Sequence, residues 1–574
     1  MRSDLKTEKN MNEELKKAIY EAVNEVYPQA NIRIEDVELI KPVDSLYGDL
    51  TCNIALKVGA KLKLNPNEVA VNIYPKVWEK KPSEIKSVGH FPNVFGFRFK
   101  EVKSGFINME KDEEYVQKDL KEIISKGKKY ADLDAGKGQK VQVEFISANP
   151  TGPLTLANGR GGFSGDVLAN VFKKSGYSVE REYYVNDGGS QVEIYMNTMR
   201  AIAMDPYKIG DSTELMYQGW LMTELAKEIR KEIEKEGDVR DLTIKDWDKK
   251  VREKEPINRI LENIKESVSK MNIQFDNWFS EKAMVEKGEV DGAIKSLKKL
   301  TYEKDNALWL KTTEFGDDKD RVLVKKDGEK TYFANDIAYH FDKFAKRKFD
   351  KVVDLWGADH HGYVARMQAA TEAMGFGGKL DIIIFQMVRL IKDGKEYRMS
   401  KRKGNYVTMD DLLDEIGAKD AADVARFFFV SRDFDTHMDF DLDLAKDTSE
   451  KNPVYYVKYA YARINGILRN TKVDFSKPDL SLITEPAEID LIKKISELPE
   501  IVESVISDKK YPVHKFTYYI SEIAEKFHKF YHDCKVISDD KELTKSRLAL
   551  VSATKTVLEI TGEDILGIDL PERM

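Results

Sequence analysis

The sequence is poor in cysteine and has no long apolar run. Cys52 and Cys534 are its only cysteines among 574 residues, which excludes a disulfide framework and a structural zinc site built on CxxC pairs. No apolar run approaches the ~18–20 residues that a membrane-spanning helix needs, and the opening MRSDLKTEKN lacks the apolar core of a signal peptide. We therefore expect a cytoplasmic protein without membrane contact.

An excess of positive charge is also missing. Lys plus Arg number 93 against 100 for Asp plus Glu, so the net charge is −7 and the pI is about 5.9. This balance argues against a domain that binds nucleic acid non-specifically, for which the pI usually exceeds ~9. Recognition of one folded RNA stays open, because it needs only a local basic stripe and a complementary shape. The length predicts roughly three to four domains.

The most informative stretch runs from Val141 to Asp166. Apolar and polar residues alternate from Val141 to Phe145, which predicts a strand, and Asn149–Pro153 has the composition of a turn. We expect Asn158 to cap a helix that starts at Gly159-Arg160. A strand, a Gly/Pro turn and a helix N-terminus together favour anion binding, although an ordinary βα unit explains this stretch alone equally well.

A second anion-seeking element is the basic loop KEYRMSKRKGN at 395–405. Such a run, taken singly, is usually a solvated loop. If both elements belong to one α/β sheet, however, they predict a nucleoside triphosphate held between a helix N-terminus and mobile cations.

These two motifs resemble the signatures of a known family. NPTGPLTLANGRGG at 149–162 resembles the first signature of class I aminoacyl-tRNA synthetases, and RMSKR at 398–402 resembles their mobile lysine loop. The flanking segments resemble arginyl-tRNA synthetases in particular, over nearly the whole chain: REYYVNDGG at 181–189, YFANDIAYH at 332–340, GADHHGY at 357–363 and FHKFYHDCKV at 527–536.

We predict an α/β fold with three domains. The expected architecture is a Rossmann-like, doubly wound parallel-sheet catalytic domain with a small N-terminal α+β domain and a C-terminal all-α helical bundle. By resemblance, the N-terminal domain contacts the tRNA elbow and the C-terminal domain binds the anticodon. The expected bounds are 1–112 for the N-terminal domain, 113–452 for the catalytic domain with a mostly helical insertion near 196–290, and 453–574 for the anticodon-binding domain.

The parallel sheet is expected to resume beyond the insertion. Strands are predicted from about Leu308 through Arg321–Val324, and again at Val352–Trp356. The long apolar run Leu380–Leu390 is typical of one buried parallel strand.

The resemblance implies ATP chemistry at both signatures. Attack of a carboxylate on the α-phosphate needs alignment and charge stabilisation more than covalent help, and Lys401, a point cation on a flexible loop, is our main catalytic candidate. Most of the family has histidine at both ends of the first signature core, whereas this chain has Thr155 and Asn158, which can donate hydrogen bonds but carry no charge. The predicted catalytic residues are Lys401, Arg398, Thr155 and Asn158, and the predicted ATP site is Thr155, Asn158, Gly159, Arg160, Met387, Val388, Met399, Ser400 and Lys401.

Tyr332 and Asp336 are the predicted readers of the amino-acid side chain. Their spacing of four puts them on one face of a helix, and a carboxylate is the natural bidentate partner of a guanidinium. The spacing alone favours an ordinary surface helix, and the assignment to arginine comes from the resemblance. The complete predicted arginine site is Glu144, Ser147, Asn149, Tyr332, Asp336, Asp359 and His360.

No metal site is expected from the Asp-His-His run at 359–361. Adjacent histidines point apart in regular structure, and no third or fourth ligand stands at suitable spacing. Mg²⁺ is expected to arrive on the phosphates of ATP.

Three hypotheses follow. The first is an arginine–tRNA ligase that is monomeric, uses ATP, L-arginine and tRNA(Arg), and needs the tRNA for activation, as the resemblance implies. The altered signature core favours a second hypothesis, a non-catalytic tRNA-binding paralogue. The third is a class I synthetase for another amino acid, which would not need the carboxylate of Asp336.

Overall fold

The structure is a computed structural model, which describes residues 8–42, 47–79, 93–94, 97–103, 105–207, 220–397 and 407–574. Internal contacts divide it into two compact units. The first comprises Met1–Gly127, Lys472–Ser496 and Lys529–Ala553, and the second comprises Lys128–Thr471, Glu497–His528 and Thr554–Met574. The bounds of the three domains expected from the sequence stay a prediction.

The strands of the described residues form four sheets. In chain order they are β1 (Leu39–Ile40), β2 (Leu50–Cys52), β3 (Asn93–Val94), β4 (Phe97–Lys103), β5 (Phe106–Lys111), β6 (Lys140–Glu144), β7 (Ser178–Val185), β8 (Asn277–Ser280), β9 (Thr301–Lys304), β10 (Ala307–Leu310), β11 (Arg321–Val324), β12 (Lys351–Gly357), β13 (Leu380–Phe385), β14 (Val388–Lys392), β15 (Lys395–Glu396) and β16 (Met438–Asp441).

Helices make up most of the remaining regular structure. They are α1 (Glu8–Val26), α2 (Ile54–Leu62), α3 (Pro66–Glu79), α4 (Glu113–Lys126), α5 (Leu156–Lys174), α6 (Gly189–Met204), α7 (Trp220–Glu236), α8 (Ile244–Glu253), α9 (Pro256–Lys270), α10 (Glu281–Glu286), α11 (Glu289–Ser296), α12 (Tyr332–Phe341), α13 (Val364–Ala373), α14 (Met409–Ile416), α15 (Ala421–Val430), α16 (Leu442–Lys446), α17 (Pro453–Asn470), α18 (Pro486–Ser496), α19 (Leu498–Ser507), α20 (Lys515–Asp533) and α21 (Lys541–Glu559). No helix of the described part is both long and apolar enough to cross a membrane.

The first unit contains an antiparallel sheet in the order β1-β2-β5-β4-β3. Helices α1, α2 and α3 cover it with apolar side chains that recur at helical spacing, and these form one buried cluster with the sheet. Strand β5 pairs antiparallel with β4. The N-terminal region is therefore α+β, as predicted.

The second unit is built on a five-stranded parallel sheet in the order β13-β12-β6-β7-β8. The chain runs outward from β6 to β8, then returns to the other side of β6 through β12 and β13. This is the doubly wound arrangement predicted from the sequence, and its strand order reverses between β6 and β12. Ligands of such sheets bind at the carboxyl ends of the strands at this reversal.

Two predictions about the later strands were wrong. The segment from Leu308 to Val324 does not rejoin the parallel sheet, because β9, β10 and β11 form an antiparallel sheet of their own. Asp305 and Asn306 both have positive φ between β9 and β10, which makes the tight hairpin that antiparallel pairing requires. The run Leu380–Leu390 is not one strand either, since β13 ends at Phe385 and β14 joins β15 and β16.

The predicted insertion near 196–290 is mostly helical, but it includes one strand of the core. Helices α7, α8 and α9 occupy most of it, whereas β8 pairs with β7 at the edge of the parallel sheet. Beyond Pro453 regular structure is helical, as predicted.

Candidate active site

The turn after β6 puts Ser147 beside Glu144. Ile146 and Ser147 both have positive φ, 65° and 39°, which is strained for a β-branched residue such as Ile146. The Ser147 hydroxyl donates to Glu144 Oε1 at 3.0 Å and accepts from the Tyr184 backbone N–H at 3.0 Å. These two bonds hold the strained turn and bring two predicted arginine-site residues into contact.

Thr155, not Asn158, caps the signature helix. Helix α5 begins at Leu156, and Asn158 takes the third helical position, where the two side chains form a capping box. Asn158 Oδ1 accepts from the Thr155 backbone N–H at 2.9 Å and from its hydroxyl at 2.8 Å. The Thr155 hydroxyl thus donates its proton to Asn158 Oδ1. The side-chain amide nitrogen of Asn158 takes no part in these bonds and can still donate.

Gly159 and Arg160 serve packing in this structure. A Cβ at Gly159 would lie 2.2 Å from Met409 Sδ, so glycine lets α5 approach that residue. The Arg160 side chain is fully buried, and its guanidinium donates to the carbonyls of Gln386 at 2.8 Å and Asp433 at 2.6 Å. The guanidinium is thus bonded to two backbone carbonyls, and the ATP contact expected of Arg160 stays a prediction. Gln386, whose carbonyl accepts one of these bonds, lies between β13 and β14.

Tyr332 and Asp336 lie on one helix, as their spacing predicted. Tyr332 opens α12 and is about half exposed, and its hydroxyl contacts the Ser190 hydroxyl. Asp336, one turn on, accepts a hydrogen bond from the Tyr363 hydroxyl. Burial raises the pKa of Asp336 above its ordinary value, while the bond from Tyr363 opposes the shift.

Asp359 and His360 take no part in the contact between Asp336 and Tyr363. Their side chains are 80% and 59% exposed, and they approach each other at 3.4 Å between Asp359 Oδ2 and His360 Nε2. Tyr363, at the end of the same segment, is the residue that reaches Asp336. Sequence reasoning missed it because it favoured the charged and imidazole side chains, although the GADHHGY resemblance covered the position.

Beneath the pocket lies a buried charge network that sequence reasoning also missed. Glu144 Oε2 accepts from Lys343 Nζ at 2.6 Å and from the Tyr339 hydroxyl at 2.8 Å. Lys343 Nζ also donates to Asp354 Oδ1 at 2.9 Å, and His340 Nε2 lies 3.0 Å from Asp354 Oδ2. The YFANDIAYH resemblance pointed to α12, but nothing in the pattern shows that its polar face turns inward.

The remaining predicted residues are divided between the pocket rim and the lysine loop. Asn149 donates to Gln191 Oε1 at 3.0 Å, and Met387 is 68% exposed beside Val388 at the start of β14. Arg398, Met399, Ser400 and Lys401 lie outside the described residues.

The chain that follows the loop is fixed to the signature turn. Thr408 pairs with Thr155, and the Met409 N–H donates to the Leu154 carbonyl at 2.8 Å. Within the described ranges, no three His, Cys, Asp or Glu side chains are grouped so as to hold a metal ion.

Replacing Tyr363 by phenylalanine tests the contact with Asp336. We expect the KM for arginine to rise by about tenfold with little change in kcat, because a hydrogen bond to a charged group is lost while the ring stays. Steady-state kinetics measures both constants. Tyr302→Phe is the matched control, since its hydroxyl donates to a surface carboxylate, Asp320, at 2.9 Å. An unchanged KM in Tyr363→Phe would contradict the assigned role.

Comparison with known proteins agrees with this architecture. Three family models match: "Arginyl tRNA synthetase N terminal domain" over residues 13–96, "tRNA synthetases class I (R), catalytic domain" over 119–426, and "DALR anticodon binding domain" over 457–574. The chain is 39% identical to the arginine–tRNA ligase of Carboxydothermus hydrogenoformans over 94% of each chain. It is 38% identical to that of Aquifex aeolicus, over 98% of this chain and 100% of the relative.

Solved structures share the fold. Arginyl-tRNA synthetase of Thermus thermophilus superposes with a TM-score of 0.72 at 20% identity, covering 98% of this chain and 99% of that one. The Plasmodium falciparum arginyl-tRNA synthetase gives 0.70 at 18% identity, over 98% of each chain. With relatives this similar over nearly its full length, the chain belongs to the arginyl-tRNA synthetase family of class I aminoacyl-tRNA synthetases.

Proposed function

We propose that the chain carries out both steps of arginine–tRNA ligation and that the first step needs tRNA(Arg). The carboxylate of L-arginine attacks the α-phosphate of ATP, which gives arginyl-adenylate and pyrophosphate. The 3′-terminal ribose hydroxyl of the tRNA then attacks the arginyl carbonyl and releases AMP. The observation that carries this proposal is the pairing of Tyr332 and Asp336 on one face of α12, with Asp336 partly withdrawn from water.

Asp336 supplies the specificity in this mechanism. A guanidinium is always charged and offers paired donors, so a carboxylate held in a fixed direction distinguishes it from neutral side chains. The Tyr363 hydroxyl fixes that direction. The Tyr332 hydroxyl supplies a further polar contact for the guanidinium.

The other end of the substrate lies over the carboxyl end of β6. Glu144 and Ser147 receive the α-ammonium group, and Asn149 binds near the α-carboxylate. Asp359 and His360 line the open side of the pocket.

ATP is bound between the two signatures. The N-terminus of α5 faces the phosphates, where exposed backbone N–H groups and the helix dipole favour negative charge. The Asn158 amide group donates to a phosphate or ribose oxygen, and the backbone at Met387, Val388 and Met399 meets adenine. Arg398, Ser400 and Lys401 approach the phosphates from the loop, and Mg²⁺ enters with ATP, bound to its phosphates.

A second candidate function, tRNA binding without catalysis, is favoured by one observation. The side chains of Thr155 and Asn158 are bonded to each other, so neither presents a positive charge to the phosphates. Tyr332 and Asp336 count against this candidate function, because a protein that only binds tRNA does not need them.

We propose that each domain contacts a different part of the tRNA. Residues 1–112 contact the elbow, 453–574 bind the anticodon, and 113–452 hold the 3′ end at the active site. We further propose that the chain works as a monomer in the cytoplasm.

ATP–pyrophosphate exchange with each amino acid, with and without total tRNA, tests the function. Exchange with arginine alone, and only when tRNA is present, is the expected result. No exchange under either condition, from a folded chain that binds tRNA, would favour the non-catalytic candidate. Exchange with another amino acid would overturn the assignment of Asp336.

Lys401→Ala tests the catalytic role of the lysine loop. We expect adenylate formation to slow by about 10- to 100-fold, because a charge-assisted contact to the leaving phosphates is lost in the transition state. Single-turnover measurements give the rate, and equilibrium dialysis gives the arginine affinity, which should hardly change. Equal losses in both would contradict the role.

A further inference from the structure

Lys343 carries a charge into the interior of the second unit. Its side chain has no exposed surface, and it lies in a π-helical turn, Asp342–Lys346, that continues α12. Such wide turns are rare and are frequently found at functional sites. A buried ammonium group is costly unless carboxylates compensate for it. The residues that pair with Lys343 therefore indicate the role of this π-helical turn.

Those partners stand on neighbouring strands at the reversal of the sheet. Glu144 on β6 is in register with Asp354 on β12, and Lys343 Nζ donates to both, at 2.6 and 2.9 Å. The Tyr339 hydroxyl lies between the same Glu144 oxygen, Oε2, and Glu182 Oε1, which is closer. Its single proton serves one acceptor at a time, so the Lys343 ammonium group is the donor that fixes Oε2.

The second oxygen of Glu144 faces the strained turn. Oε1 accepts the Ser147 hydroxyl at 3.0 Å, and a carboxylate oxygen can accept one bond more. About 8% of the Glu144 side chain stays exposed, whereas none of Lys343 does. Glu144 therefore keeps a little surface for a donor from outside, whereas Lys343 keeps none.

We propose that Lys343 is a positioning residue for the α-amino end of arginine: it keeps Glu144 anionic and turns Oε1 toward the α-ammonium group of the substrate. This inference rests on the proposed function. On α12 and its continuation, residues 332, 336, 339 and 343 follow one face. One helix thus binds the guanidinium end directly and the amino end through Lys343 and Glu144, which sets the distance between the two ends.

The electrostatics of Glu144 supports the role. Burial raises the pKa of Glu144, the Lys343 ammonium group opposes that shift, and the nearby carboxylate of Asp354 adds to it. Without Lys343, burial and repulsion would both favour a proton on Glu144. A neutral carboxyl group would then lose its charge-assisted bond to the α-ammonium group.

The test compares arginine with 5-guanidinopentanoate, its analogue without the α-amino group. Equilibrium dialysis of the full chain with tRNA, using labelled arginine and the analogue as competitor, gives both affinities. The unmodified chain should prefer arginine by about 10- to 100-fold, as expected for a bond between charged groups. In Lys343→Met the preference should fall to about threefold or less. A merely structural role would weaken both ligands equally and leave the ratio unchanged, which would overturn the proposal.

Two further variants complete the test. Lys346→Met removes a lysine from the same turn that pairs with Glu289 and is 46% exposed, so the preference should stay. If Lys343→Met does not fold, the double variant Lys343→Gln with Asp354→Asn removes one charge of each sign. The ratio of its affinities for arginine and the analogue is then the deciding measurement.

Failure of this inference is distinguishable from failure of the proposed function. An unmodified chain that does not bind arginine would refute the proposed function. An unmodified chain that binds arginine and its analogue alike, or a charge-balanced variant that keeps the preference, would refute only the role of Lys343.

Discussion

Replacing Asp336 by asparagine is expected to lower kcat/KM for arginine by about a hundred- to several-thousandfold. Truncating one partner of a buried, hydrogen-bonded charge pair costs about 3–5 kcal/mol, and each 1.4 kcal/mol is a factor of ten. Asparagine keeps the size of the side chain but offers the guanidinium no charge and only one acceptor oxygen. The loss should lie mainly in KM, because the contact exists before the transition state and in it.

ATP–pyrophosphate exchange over a range of arginine concentrations measures this effect. Asp305→Asn is the matched control, since it makes the same change at an exposed turn between β9 and β10. Near-normal kinetics in Asp336→Asn would mean that the chain does not read arginine through this carboxylate.

Arg426→Met is expected to lower the free energy of unfolding by about 3–5 kcal/mol. The Arg426 side chain is almost fully buried on α15, where it contacts Asp166 of α5 and donates to the Asn272 carbonyl at 2.7 Å. It also lies 5.1 Å from the centre of the Phe163 ring. Methionine fills much of the volume but leaves one oxygen of the Asp166 carboxylate and the Asn272 carbonyl without this donor, while Arg181 still donates to the other Asp166 oxygen.

Urea unfolding followed by tryptophan fluorescence detects this change as a shift of the midpoint to lower urea concentration. Arg389→Met is the control, because Arg389 forms an ion pair with Asp439 and its side chain is 58% exposed. Such surface pairs contribute little, so its midpoint should hardly move. Equal midpoints for Arg426→Met and the unmodified chain would show that the buried contacts are not needed for stability.

Local patterns predicted much of the fold. Alternation before the Gly/Pro turn identified β6, and a spacing of four placed Tyr332 and Asp336 on one helix, because both follow from the geometry of a single element. The break at Gln386 could not be predicted this way. The backbone of Gln386 bonds to Arg160 and Phe434, both distant in the sequence, and the run is mostly apolar on both sides of it.

In the candidate site, too, local patterns predicted some features, whereas others depend on contacts between distant parts of the chain. The family signatures pointed to α5 and α12, but the buried partners of Glu144 come from polar residues whose pattern also fits a solvated face. Lys343 turns inward to Glu144 and Asp354. These two residues come together through the tertiary pairing of β6 with β12. The contact between Tyr363 and Asp336 is likewise a contact across two helical segments.

The capping box at the start of α5 also bears on how activity depends on acidity. Histidine changes its charge between about pH 5 and 8, so a signature with two histidines adds two titrating groups next to the phosphates. Threonine and asparagine have no ionisation in that range. With Thr155 and Asn158 in those places, the hydrogen-bond donors at this helix end stay constant as the solution is acidified, and any acid limb of the rate profile must arise elsewhere in the site.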